Sequence, residues 1–197
     1  MKKILGLLVS ICFLGMFPVY AQNKDKPAQA KPKIPTFLLL IKEQNIEGPQ
    51  RAWWSSEIDL STVEAKLSQA LDGYNYKVIE PSELKDTIKS ERAFRTVNIT
   101  EDESIKLAKL KGIDYVVLGK AVASAGSRIL DSNMRSCFAN VTVKLIRVSD
   151  GKVIAYLDTT ASSPHTDLIT GGKQALAKAG IELGEKIIKA LSQKGGK

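Results

Sequence analysis

The sequence predicts an α/β domain, a single mixed parallel and antiparallel sheet covered by helices, in the order β-α-β-α-α-β-β-β-α. Three observations carry that prediction. Thr36 to Glu43 (TFLLLIKE) is a short continuous apolar run, the pattern of a strand covered on both faces. Two capping boxes, Ser61-x-x-Glu64 and Thr100-x-x-Glu103, open helices between strand-like segments. Arg135 to Val148 alternates as a half-buried strand does, and Asp150-Gly151 then turns the chain back.

The elements follow in order. After the first strand comes a polar loop with Gly48, Pro49 and the pair Trp53-Trp54. The helix opened at Ser61 places Val63, Leu67, Ala70 and Leu71 on one face and stops at Gly73. Tyr76 to Ile79 is a second, short strand, and Pro81 and Ser82 start a helix carrying Leu84 and Ile88. The helix from Thr100 carries Ile105, Ala108 and Leu110, with Gly112 just past its end, where a left-handed residue is common. Ile113 to Ala123 is a third strand, and Gly126 to Asn133 a loop.

In the alternating strand, Cys137, Ala139, Val141, Val143 and Leu145 point one way, and Asn140, Thr142 and Lys144 the other. Asp150-Gly151 predicts a hairpin turn of the primed type, with Lys152 to Thr160 as the returning strand. The last helix, about Gly172 to Leu191, buries Leu176, Gly180, Leu183, Ile187 and Leu191. Ala177, Gly180 and Gly184 form a small-residue strip beside them, expected to bring the helix close to the sheet. Strands joined by helices are expected to run parallel, and the last pair as a hairpin.

Met1 to Ala21 reads as a cleavable export signal. Lys2 and Lys3 supply the positive start, Ile4 to Phe17 the apolar run, and Val19-Tyr20-Ala21 places the cut after Ala21. The run is shorter than the ~20 residues a spanning helix needs, so the mature chain is expected to have no transmembrane segment. Cys12 follows Ile11 inside the run and is not placed for acylation. Residues 22–35, with Pro27, Pro32 and Pro35 among lysines, read as a disordered leader, residues 36–192 as one domain and residues 193–197 as a polar tail. The expected location is the periplasm.

The formal charge of +8 falls to +6 without the two signal lysines. Outside the cytoplasm this does not point to nucleic acid. It fits an anionic surface or polymer, or a solvated lysine excess. Cys137 is the one cysteine left after cleavage, which excludes an internal disulfide, and its alternating strand points to a buried, inert thiol.

Catalytic chemistry is sparse. His165 is the only histidine, with Ser162, Ser163 and Asp167 near it in sequence, but no G-x-S-x-G elbow accompanies them. No H-E-x-x-H, C-x-x-C or EF-hand pattern is present, so no metal and no cofactor is expected. Thr170-Gly171-Gly172-Lys173 lacks the full phosphate-loop pattern, and its glycines suit a tight bend into the helix. Two places are candidates for partner binding. Trp53 and Trp54 beside Arg51 fit either an interface anchor or a cover over the end of the core. Ile129-Leu130 is an apolar pair in a loop, either a docking element or part of a long turn.

The segments MRSCFANVTVKLIRVSDGKVIA and SSPHTDLITGGKQALAKAGIELGEKIIKAL, with the strand Gly112 to Ala121 before them, resemble the middle domain of the bacterial flagellar assembly protein T. The shared features are the alternating strand, the turn at Asp150-Gly151, the stretch His165-Thr166-Asp167 and the small-residue helix from Gly171. The resemblance covers Gly112 to Leu191, and the earlier half in element order only. It implies a periplasmic α/β module of the kind also found in the TolB N-terminal domain, the curli secretion channel protein and the lipoprotein activator of a penicillin-binding protein. It implies no active-site residues. The function expected from it is that of a non-enzymatic envelope module that binds protein partners, such as flagellar basal-body or outer-membrane assembly components. An accessory protein that binds anionic polymer, or regulates peptidoglycan or secretion machinery, is the alternative, and a small Ser/His hydrolase a third reading. The oligomeric state is not legible.

Overall fold

The computed structural model describes residues 34–48, 60–90 and 99–194. The chain runs β1 (Thr36–Gln44), α1 (Thr62–Asp72), β2 (Lys77–Ile79), α2 (Pro81–Ser90), α3 (Glu101–Leu110), β3 (Tyr115–Arg128), β4 (Arg135–Arg147), β5 (Lys152–His165) and α4 (Leu168–Lys194). The five strands form one sheet in the order β2-β1-β3-β4-β5. β1 pairs in parallel with β2 and β3, and β3, β4 and β5 are antiparallel neighbours. The expected mixed sheet and element order are therefore present.

The two-faced reading of β1 holds residue by residue. Phe37, Leu39 and Ile41 enter one core with α1 and α4, and Leu38 and Leu40 enter a second with α2 and α3. Both capping boxes close as expected, with Ser61 and Thr100 each accepting from the N–H three residues on. Gly112 takes φ +65, and beyond α3 it is the residue type that adopts this conformation without strain.

Several expectations need correction. The buried face of α3 is Ser104, Leu107 and Ala108, while Leu110 is exposed. Ser104 tolerates burial because its hydroxyl donates to Glu101 O at 2.6 Å. The β4–β5 turn spans four residues, Val148 to Gly151, and of these only Gly151 has a positive φ, so it is not a primed two-residue turn. β3 and β5 run five residues beyond their expected ends, because the ladder with β4 holds even the Ser/Gly segment before Arg128. α4 starts four residues early and runs to Lys194. Its small-residue strip faces a helix, not the sheet. A Cβ on Gly180 would lie 3.0 Å from Val63 O, and one on Gly184 2.6 Å from Ala70 Cβ, both in α1.

Two buried carboxylates fasten β1 to α1. Glu43 accepts the N–H of Thr62 at 3.2 Å and of Val63 at 2.8 Å, covering the start of the helix. Glu64 accepts Ile41 N at 2.9 Å and Ser61 N at 3.1 Å. Ile41 lies past the end of the short β2, where that side of β1 has lost its strand partner.

Candidate partner-binding surface

The sheet is covered on one face along its length and on the other only in part. α3 reaches as far as the rung of Leu118 and Lys144, where Lys144 Nζ meets Glu101 at 2.8 Å and lies over the Tyr156 ring at 5.7 Å. Past that rung the outer face of β3, β4 and β5 is exposed. Its rungs are Lys120-Thr142-Asp158, Val122-Asn140-Thr160 and Ser124-Phe138-Ser162. Thr142 donates to Asn140, and Asn140 to Thr160, so its middle is a braced polar ladder. Set around this ladder are Val122, Phe138 and Tyr156, 38%, 41% and 71% exposed. The Phe138 ring lies over Gly126, where a Cβ would strike it, so the absent side chain gives the ring its seat.

β1 pairs with β3 only as far as Val122. Beyond it β3, β4 and β5 continue as a three-stranded arm, ending in the turn Ile129–Met134. Ile129 and Leu130 sit in this turn and are exposed. Trp53, Trp54 and Arg51, like the expected cut after Ala21, lie outside the described residues. Sequence reasoning missed the open face, because an exposed Phe or Tyr in an alternating strand reads the same as one covered by a helix. The signal available was the run of Asn140, Thr142 and Lys144 on one side of β4.

The outer edge of β5 is guarded. Lys186 Nζ donates to Asp158 O at 2.7 Å, and Lys178 Nζ to Ser162 O at 3.1 Å. Pro164 adds a position with no N–H to offer. These are devices that keep an edge strand from recruiting another strand.

The Ser, His and Asp near the start of α4 are not arranged as a catalytic triad. A triad histidine donates Nδ1–H to a carboxylate and accepts the serine proton at Nε2. Here His165 Nδ1 accepts the N–H of Asp167 at 2.9 Å. The Asp167 carboxylate caps α4 instead, accepting Thr170 N at 2.7 Å, and hydrogen bonds from the Thr170 hydroxyl and then its N–H hold it below its ordinary carboxylate range. Ser163 is buried and donates to Gln174 at 2.7 Å, while Ser162 is on the opposite face of β5. Gly171 and Gly172 lie within α4. Side chains there would strike Cys137 Sγ and the Asn45 amide, and Gly171 N already donates to Asp167 O. Their smallness serves packing. Among the described residues no cluster of His, Cys, Asp and Glu could hold a metal ion, and no described helix is long and apolar enough to cross a membrane.

No protein-family model matches the chain, and neither does any curated protein. Solved structures do match. A lipoprotein from Neisseria meningitidis is 14% identical over 81% of this chain and 99% of its own, with a TM-score of 0.42. The LpoB C-terminal domain from Salmonella enterica is 16% identical over 67% of this chain and 87% of its own, at 0.41. A hypothetical protein from Chlamydia trachomatis is 13% identical over 82% of this chain and all of its own, at 0.47. At these values the likeness concerns general fold only.

Proposed function

We propose that this chain is an exported, non-enzymatic binding module of the bacterial envelope, and that it docks a protein partner on the open face of β3, β4 and β5. The observation that supports this most is the composition of that face. Val122, Phe138 and Tyr156 supply exposed apolar and aromatic contact area, and the ladder of Thr142, Asn140 and Thr160 supplies hydrogen-bonding groups already held in place. Interfaces favour this combination of aromatic anchors and fixed polar groups. The signal at Met1 to Ala21 supports the location. The flagellar basal body, peptidoglycan machinery and secretion machinery are all clients that this surface fits, and none is favoured over the others by a family match.

A photo-crosslinking residue placed at Phe138 in living cells tests the reading. The expected product is a discrete adduct with an envelope protein, lost when Val122 is changed to Ser and absent when the probe replaces Tyr74 at the far end of the domain. Equal adducts from both positions would refute docking on this face. The mass of the adduct names the machine. Loss of motility in a deletion strain with normal envelope integrity separates a flagellar role from the other two.

A further inference from the structure

The turn at the end of the arm has a character of its own. Arg128 and Arg135 are direct cross-strand partners at its neck, and both are exposed. Like charges opposed on one rung destabilise a ladder. Arg135 is also fixed there, its Nε and Nη2 donating to Gly126 O at 3.3 and 3.2 Å. Beyond the neck the turn is closed by its own bonds. Ile129 N donates to Met134 O at 2.9 Å, Ser132 N to Ile129 O at 3.2 Å and Met134 N to Ser132 Oγ at 3.1 Å, with Asp131 at φ +57. This prefolded turn holds Leu130 89% exposed, with Ile129 and Met134 exposed beside it. The nearby acids are Asp131 in the turn and Asp167, whose carboxylate is engaged by Thr170.

We propose that this tip seats in the interface of an anionic lipid bilayer, Leu130, Ile129 and Met134 entering the apolar side and Arg128 and Arg135 meeting lipid phosphates. Three features favour a bilayer over a protein. The tip is convex, and a fluid interface conforms to a projection that a protein could receive only in a matching pocket. Leu130 is the most exposed apolar side chain of the tip, with Asp131 beside it in the turn, and the two cations stand one rung behind. Two cations on one rung are relieved by a phosphate between them, bound by Arg128 and by the donors that Arg135 does not spend on Gly126 O. Three aliphatic side chains make a weak, reversible anchor, suited to orienting the domain. The proposal is independent of the open face, since the tip lies beyond those rungs.

The test is flotation of the processed protein with vesicles of phosphatidylcholine alone or mixed equally with phosphatidylglycerol. Wild type is expected to float with the anionic vesicles at about 0.05 M salt and to be released at about 0.5 M, where screening is strong. Leu130→Ser should lower the partition coefficient about tenfold, from the loss of one buried aliphatic side chain. Arg128→Gln with Arg135→Gln should erase the preference for anionic lipid, while Tyr74→Ser, at an exposed residue outside both surfaces, should bind as wild type does. Wild type that stays at the bottom of the gradient overturns the proposal. So does Leu130→Ser floating as well as wild type, which would trace binding to other lysines. A crosslink from position 130 to an envelope protein, in a chain that ignores vesicles, reassigns the tip to a protein and also overturns it.

Discussion

Glu43 and Glu64 hold each other's elements: the strand residue covers the first N–H groups of α1, and the helix residue covers Ile41 N on β1. All of these groups are buried or half-buried, so neither carboxylate has a water shell to fall back on. Burial pushes the Glu64 carboxyl up to about 7, against the pull of the Ile41 and Ser61 hydrogen bonds and with the negative charge of Glu43 adding to the rise.

A pH dependence follows. The unfolded value of Glu64 is 4.5, below the folded one. Under pH 4.5 both states carry the proton. Between 4.5 and 7 the unfolded chain releases it first, so stability falls as pH rises, by roughly 3 kcal/mol at most, and the full cost is present above 7. Glu103 and Asp167, held low by bonds from Thr100 and Thr170, lose stabilisation only at more acid pH. Thermal melts from about pH 5 to pH 8 should show the midpoint declining in wild type and flat in Glu64→Gln. The variant should be about 1 kcal/mol less stable at the acid end, where its amide faces an N–H. An unchanged slope in the variant would place the titration elsewhere.

Replacing Lys178 and Lys186 together with Ala should open the outer edge of β5. The monomer's melting point should move little, since each exposed bond contributes about 1 kcal/mol or less. Self-association measured by light scattering should rise well above wild type, and Lys173→Ala should leave it unchanged. A double variant that scatters as wild type does would show that the lysines are not what guards the edge.

Gly184→Ala should destabilise the protein by about 1–3 kcal/mol, although alanine is the better helix former by about 1 kcal/mol. The new methyl would meet Ala70 Cβ at 2.6 Å and push α1 from α4. Ala70→Gly should recover much of the loss in denaturant titrations. A stabilised Gly184→Ala would mean that the helices separate without cost.

Cys137 is fully buried, and burial pushes its thiol up from the ordinary value. It should be inert to a thiol-reactive dye in the native protein at about pH 8 and react in one step on unfolding. Fast native labelling would mean that the Gly171 contact opens readily.

Local chemistry made much of this fold legible. The capping boxes at Ser61 and Thr100, the turn residue Gly112 and the alternation of β4 each act within a few residues, so the sequence displays them directly. The apolar run of β1 was legible for a similar reason, since a strand polar on neither side must be covered on both. What stayed hidden depends on partners distant in sequence. Ser124 to Arg128 has poor strand propensity and is extended only because β4 lies beside it. Gly180 and Gly184 could be read as a close-approach strip, but not as one that meets Val63 and Ala70. Glu43 and Glu64 stood in plain view in apolar surroundings, yet their pairing needs β1 and α1 placed side by side. Of the candidate surface, Ile129-Leu130 was visible as an apolar pair in a loop. The open face was not, because the reach of α3 sets its boundary.

The guarded edge of β5 leaves little room for a partner to recognise that margin of the sheet through its backbone. Strand addition permits a peptide to slide by two residues and still bond. Recognition through Val122, Phe138 and the Thr142-Asn140-Thr160 ladder permits no such slip, because each contact is a particular side chain at a fixed rung. A partner docked on the proposed face would have to read side chains, and changes at those few exposed positions would alter its fit without disturbing the buried core.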